Sequence, residues 1–482
     1  MKKYLCMLLA GLMLLAAFAG CANLDNGDET ETAETMPEGE TDEAALALSQ
    51  LSVDWGNDEF VIIGRSDHTP GELKVDEASD TRSEVLTDAV YQRNLAFEEM
   101  CKLTLNVVQE ETNKVTESVK TDVKTGAGEY DIVHQHMALT ANLASEGNLI
   151  SFTSLDGVDL SAPWWDQGTA SFMISDKIYF MNSAINYSDE NTTYVMLFNK
   201  KMAEDEQIDP YQLVYDNQWT LDKFQTLIKE VSYDSSGDGK FDENDTYGFV
   251  ATWETGNTFF FGSGMRYIVC EEGEDPYLAL DSSGMNKASD LLDKILDIYY
   301  VNNSTYSSPP GKENLGMDCF KANRGLFYGE VVQYIVQLGK DMEADFGVLP
   351  VPKYNESQKD YITWTNGICS TTSITKACQH LDKIGSTLEI LAILSYQRVT
   401  PAFYDTVLQR KAVRDEESQG MLDIIFKTRM YDLSMYYDLG LEPLFKAAVN
   451  GNKNNFSSTY GKQERKAEKK LGTLVEKFGK EE

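Results

Sequence analysis

An α/β fold with two successive strand–helix regions is what this 482-residue sequence predicts, and three observations predict it. Phe60-Val61-Ile62-Ile63 is a continuous apolar run, as suits a strand buried on both faces. Strand-like segments at 103–107 and 130–133 then alternate with helical ones at 87–102, 112–125 and 138–146. Such alternation builds a parallel sheet with right-handed crossovers. A second alternation begins at Tyr194 and runs past residue 350.

The N-terminus precedes these elements. Lys2 and Lys3 form a positive start, and Leu5–Phe18 is apolar but shorter than the roughly 20 residues a spanning helix needs. This is the pattern of a signal peptide. Phe18-Ala19-Gly20-Cys21 resembles the lipobox of bacterial lipoproteins, with Phe18 in place of the usual Leu. The resemblance implies cleavage before Cys21, its acylation, and anchoring on the outer face of the membrane; the alternative is an ordinary secretory leader with an incidental cysteine. Residues 22–46 carry nine Asp and Glu, with no Lys, Arg or aromatic residue. With 47–57 they read as a flexible acidic spacer, 22–57.

In the first region, Cys101 shares a helical face with Val90, Asn94 and Phe97, which is core spacing. Ligands of such sheets sit beyond the C-terminal ends of the strands. His134, Gln135 and His136 follow Val133, so polar groups are expected at that edge. In the second region Tyr194–Phe198 is a strand ending at Asn199. Thr220 can cap a helix whose apolar face is Leu221, Phe224, Leu227, Ile228 and Val231, with Trp219 turned inward. Strands are expected at 247–252, near Phe327-Tyr328, and at 346–352, where Pro350 and Pro352 close a crossing. From 377 onward the chain reads as mostly helical.

Composition excludes some functions. A net charge of −36 argues against nucleic acid and against docking on anionic lipid. Past Cys21 the cysteines are 101, 270, 319, 369 and 378, an odd number with no zinc spacing, read as buried thiols. Serine-hydrolase, zinc-protease and phosphate-loop motifs are missing, so no enzyme is expected.

One local motif is specific. Residues 234–245 match a calcium loop, with Asp234, Ser236, Asp238, Asp242 and Asp245 as oxygen ligands, the Lys240 carbonyl, and Gly239 at the sharp turn. A structural calcium ion is the expected cofactor; the alternative is a solvated acidic turn.

Several segments, in order, carry a resemblance: Tyr130-Asp131-Ile132-Val133 with Gly147-Asn148-Leu149, then Leu197–Met202, Trp219-Thr220, Asp245–Phe249 and Phe346–Pro352. They resemble the extracellular solute-binding proteins of the maltose-binding type, in their branch of large Gram-positive lipoproteins. The resemblance implies a type II periplasmic-binding-protein-like fold: two α/β lobes, a multi-crossing hinge and a ligand cleft between them. It places lobe 1 at 58–190 plus 353–400 and lobe 2 at 195–348 plus 401–482, with the hinge near Phe198-Asn199 and Pro350–Pro352. It implies a monomer that captures a small solute, a mono- or oligosaccharide, for an ABC transporter permease. A surface glycan-binding lipoprotein or a glycan-active enzyme is the alternative. Sugars need aromatic platforms beside paired polar groups. Candidates are Trp164 and Trp165, Trp364 and Asn366, Asn199, Gln135, and the positions the family turns toward its cleft, His134, Trp253, Glu254, Tyr328 and Glu330.

Overall fold

The computed structural model describes residues 38–67, 71–75, 84–271, 273–408 and 415–480. The leader, Cys21 and the first part of the acidic segment lie outside the described residues.

Ten strands build two sheets: β1 Glu59–Arg65, β2 Thr104–Glu110, β3 Ile132–His136, β4 Leu149–Ile150, β5 Tyr194–Asn199, β6 Tyr247–Thr252, β7 Thr305–Ser308, β8 Gly325–Val331, β9 Phe346–Leu349 and β10 Ser370–Thr375. The first sheet runs β2-β1-β3-β10-β4 and the second β9-β5-β8-β6-β7. In the first, β1, β2 and β3 are parallel and β10 returns antiparallel to β3. In the second, β6, β7 and β8 are parallel and β5 is antiparallel to β8 and β9.

This connectivity fixes the hinge. β10 begins with Ser370 opposite His136, the C-terminal end of β3. β5 begins with Tyr194 opposite Val331, the C-terminal end of β8. Both crossings therefore leave the C-terminal edges of the parallel strands and run side by side, with Thr193 bridged to Thr365. The Asn366 amide donates to the Thr192 carbonyl at 3.0 Å.

Four expectations are corrected. The crossings lie next to residues 193 and 365, not at Phe198-Asn199, which pair within β5, or at Pro350–Pro352, which follow β9 and stay in the second lobe beside Trp219. Lys353 bridges Thr220 in the second lobe, so the chain rejoins the first sheet only at Ser370. Strand β3 continues through His134 and Gln135, drawn on by its pairing with Thr372 and Thr371 of β10. Residues 38–57 are not spacer: Glu38–Gln50 is a helix with Ala44 buried, and the buried Trp55 indole donates to Thr387 Oγ1 at 2.8 Å.

The cores follow the predicted faces. Val90, Asn94, Phe97 and Cys101 are buried on Val85–Cys101, which packs against the Leu381–Leu408 helix. Arg93 on that face donates to Ser395 Oγ at 3.0 Å and to the Glu72 and Leu73 carbonyls at 3.0 Å, so its charge is buried but fully hydrogen-bonded. In the second lobe, Thr220 caps Leu221–Val231 through the Lys223 amide, and the five expected apolar residues are buried. Phe224 stands 5.0 Å from Phe249 and 5.3 Å from Phe327, and Trp219 donates to the Pro350 carbonyl at 2.8 Å. The last helix, Phe456–Phe478, packs on Ser282–Tyr300 and ends with Phe478 at 4.8 Å from the ring of Tyr179.

Gly248 in β6 lets the Leu221–Val231 helix close on the second sheet, since a Cβ there would meet the Ile228 carbonyl oxygen at 2.1 Å. Backbone cannot yield as a side chain can. Gly248→Ala is expected to destabilise the chain by about 1–3 kcal/mol in urea unfolding, whereas a shift below about 0.5 kcal/mol would contradict this packing.

Candidate functional site

The parallel strands of the second lobe end at Thr252, Ser308 and Val331, and those of the first at Arg65, Glu110 and His136. Because both crossings leave these edges, the ends of the two sheets flank the hinge, where ligands of open α/β sheets bind.

On the second-lobe side the turn after β6 places Trp253 and Glu254. The indole of Trp253 donates to Glu313 Oε1 at 3.0 Å, and Lys446 Nζ lies 4.5 Å from its ring centroid. Both oxygens of Glu254 accept from Lys446 at 2.9 Å, and Glu442 pairs with the same ammonium at 3.1 Å. The Pro443–Asn450 helix thus holds this turn in place, and Asn450 donates to the Trp253 carbonyl at 2.9 Å. Trp253 keeps part of its surface open.

On β8, Tyr328 and Glu330 are buried, and Tyr328 packs its ring 5.3 Å from Phe320. Glu330 is 6% exposed and makes no ion pair among the described residues; its hydrogen-bond partner is the Val331 amide. Burial pushes its carboxyl up to about 8, and the nearby Glu313 and Glu254 carboxylates add to the shift. At neutral pH it therefore carries a proton and can both donate and accept a hydrogen bond. Glu254 is also raised by burial, an effect that Lys446 opposes.

At the hinge edge of the same region, Trp364 stacks on Tyr194 with centroids 4.6 Å apart and planes 5° apart. Asn366 is within hydrogen-bond reach of the Tyr194 side chain, whose hydroxyl burial and the Glu330 and Glu254 charges push upward. The structure thus gathers Trp253, Glu254, Tyr328, Glu330, Trp364 and Asn366 into one region.

The other candidates lie elsewhere. His134 is buried, its Nε2 3.1 Å from Glu72 Oε2, and Glu72 in turn accepts from the Ser188 amide at 2.7 Å. Gln135 is spent on the Thr112 carbonyl at 2.7 Å and Thr116 Oγ1 at 3.2 Å. Trp164 and Trp165 are buried inside the first lobe, both indoles donating to Glu389, at 2.8 and 2.9 Å. Asn199 ends β5 at the edge away from the hinge, where it caps the next helix through the Met202 amide and donates to Asn323 Oδ1 at 2.7 Å.

Sequence reasoning missed the charged groups of the hinge. Arg429 is ion-paired with Asp166 at 3.0 Å, Asp189 at 3.1 Å and Glu190 at 2.9 Å. Tyr431 donates to Asp166 Oδ2 at 2.7 Å and accepts from Asn182 at 3.0 Å. These residues lie some 240 positions apart in sequence, and no spacing signals them. Lys446 had one local signal, its i,i+4 spacing from Glu442.

In the calcium-like loop, Asp234 accepts from the Gly237 and Gly239 amides at 2.6 and 2.8 Å. The buried Asp245 accepts from the Ser235, Ser236 and Asp242 amides at 2.9–3.1 Å. Gly237 and Gly239 take φ of +70° and +79°, the left-handed turns such a loop requires. The loop wraps its two end carboxylates with amides; Asp234 Oδ2 and Asp245 Oδ2 accept one amide each and keep a further lone pair, while both Oδ1 atoms accept two hydrogen bonds.

The bacterial extracellular solute-binding protein family matches residues 95–328. No curated protein sequence matches. Among solved structures, the chain is similar to a maltose/maltodextrin-binding domain, MalE, from Bdellovibrio bacteriovorus bound to maltotriose (14% identity, TM-score 0.54, covering 86% of this chain and 100% of that one). It is similar to the GacH receptor of Streptomyces glaucescens, solved unliganded and with acarbose (14%, 0.54, 86% and 99%). It is also similar to the ABC substrate-binding protein Lmo0181 from Listeria monocytogenes in complex with cycloalternan (13%, 0.53, 86% and 99%). At these identities the shared property is the two-lobed fold. The likeness to extracellular solute-binding proteins is borne out in sequence over 95–328, and that to the maltose-binding type in fold over most of the chain.

The raised carboxyl of Glu330 sets a pH dependence. Its folded value, about 8, lies above its ordinary value of 4.5, so the folded state binds the extra proton and this contribution to stability is lost as pH rises between the two. Glu330→Gln removes the titration. Its stability relative to the parent is expected to grow from near zero below about pH 4.5 to on the order of 5 kcal/mol above about pH 8, read by urea unfolding. Parallel pH profiles for the two proteins would contradict the assignment.

Proposed function

We propose that this chain, which has the fold of the extracellular solute-binding proteins and matches their family over residues 95–328, captures a mono- or oligosaccharide between its lobes and delivers it to an ABC importer. Family and fold are those of binding proteins, and the chain is a binder, not an enzyme.

The observation that carries the sugar reading is that Trp253 and Glu330 occur at the hinge-side ends of the neighbouring strands β6 and β8. A half-open indole offers a platform for a C–H face, and a protonated carboxyl can meet a hydroxyl as donor or acceptor. The solved structures named above hold maltotriose, acarbose and cycloalternan, in keeping with such a ligand. Trp253, Glu254, Glu330 and Asn366 are the proposed contacts, with Tyr328 and Trp364 supporting them from within. Cys21 is the proposed lipid anchor at the extracellular face of the membrane, on the strength of the apolar leader and the small residues before it. A calcium ion in the 234–245 loop is proposed as a brace for the second lobe, supported by the ligand spacing and the left-handed glycines.

A thermal-shift screen against mono- and oligosaccharides, peptides and polyols tests the reading, run with calcium and with EDTA. A cognate sugar at about 100 times its Kd stabilises by about 2.7 kcal/mol and raises Tm. Trp253→Ala should weaken that sugar about tenfold or more while leaving the ligand-free Tm within a few degrees. After removal of metal, added calcium should raise Tm in the parent but not in Asp234→Asn. A shift with peptides and none with sugars overturns the substrate, and equal Tm in calcium and EDTA overturns the metal loop.

A further inference from the structure

A second cluster with ligand chemistry lies at the opposite edge of the first sheet. Asp131 stands immediately before β3, and Cys378 and His380 lie between β10 and the Leu381–Leu408 helix. Asp131 Oδ1 is 3.4 Å from Cys378 Sγ and 2.9 Å from His380 Nδ1. One atom from each residue falls within 4.8 Å of the other two, and among the described residues this is the one such group of three His, Cys, Asp or Glu. Metal–ligand bonds of about 2.0–2.3 Å set ligand atoms of a tetrahedral site roughly 3.3–3.8 Å apart, so small adjustments would admit an ion.

The surroundings favour a built site. The second carboxylate oxygen of Asp131 accepts from the Val61 amide at 2.9 Å, which fixes the orientation of the carboxylate as outer hydrogen bonds do for metal ligands. The Trp55 ring packs 4.5 Å from the imidazole of His380 and limits its rotation. Asp131 and Cys378 are buried, and His380 keeps an open side through which water can reach a fourth position.

We propose that Asp131, Cys378 and His380 bind a zinc ion, with water completing a tetrahedron. One thiolate sulfur, one imidazole nitrogen and one carboxylate oxygen suit zinc, a borderline-soft ion, better than calcium or magnesium, which take oxygen alone. The thiolate and the carboxylate neutralise its charge. On binding, the Cys378 S–H bond breaks, the sulfur–zinc bond forms and the proton passes to solvent. A free thiol is protonated at neutral pH, so that proton is present to be released. Asp382 and Lys383 are the flanking charges, Lys383 over the Trp55 ring at 5.6 Å. The ion would clamp residues 247 positions apart, far from the solute cleft, and bind the loop before the long helix to the start of β3.

The test is calorimetric titration of the full chain with zinc chloride, in two buffers of different ionisation enthalpy. One site with release of about one proton is expected. His380→Ala and Cys378→Ser should each weaken it about tenfold or more, with the fold of each checked by its melting transition. Cobalt replaces zinc as a second probe: its thiolate absorption should appear in the parent and vanish in Cys378→Ser, which reads the site even if His380→Ala folds poorly. No saturable zinc binding, unchanged affinity in folded His380→Ala and Cys378→Ser, or binding removed by Asp234→Asn instead would each overturn the proposal.

Discussion

One guanidinium, that of Arg429, joins the parts of this chain that must move together. It meets Asp166 from the first lobe and Asp189 and Glu190 from the approach to the first crossing. Arg429 and Met430 pair in parallel with Thr363 and Trp364, just before the return crossing. The charge is uneven, with three carboxylates around one cation. Burial and the neighbouring Glu190 drive Asp189 upward against the pull of Arg429. Removing water from such a group is costly, and the geometry has to be fixed closely to offset it. That requirement explains why Tyr431 and Asn182 complete the network, and why both crossings share one place: a knot of this kind tolerates little displacement of either segment.

From that knot the site follows. Its neighbour Trp364 stacks on Tyr194, the first residue of β5, and β5 sets the register of β8, which carries Tyr328 and Glu330. The Pro443–Asn450 helix brings Lys446 to Glu254 and across the face of Trp253. The proposed binding groups therefore stand on a strand, on a turn clamped by an ion pair, and on the crossings themselves, so rotation about the crossings would move one wall of the cleft against the other.

The sequence made the repeating parts legible. Strands buried on both faces show as apolar runs, and helices buried on one face show as stripes, so β1, β5 and Leu221–Val231 could be read directly. Trp253, Glu254 and Glu330 were legible as candidates because they follow or close parallel strands, where topology predicts a ligand. What could not be read depended on pairing at long range. His134 and Gln135 belong to β3 only because β10 returns beside it, some 236 residues later. The indoles of Trp164 and Trp165 find Glu389 across more than 220 positions, so aromatic residues that looked like platforms serve the core. The helix at Glu38–Gln50 was hidden by acidic composition, since a short apolar face, with Ala44 buried, is enough when a neighbouring helix covers it.

The account rests on two lobes that close about the crossings at residues 193 and 365 when a solute enters. Small-angle X-ray scattering of the full chain, alone and saturated with the sugar that most raises its melting temperature, measures this directly. The account predicts a smaller radius of gyration and a changed distance distribution on saturation. A bound sugar that leaves both unchanged would contradict it.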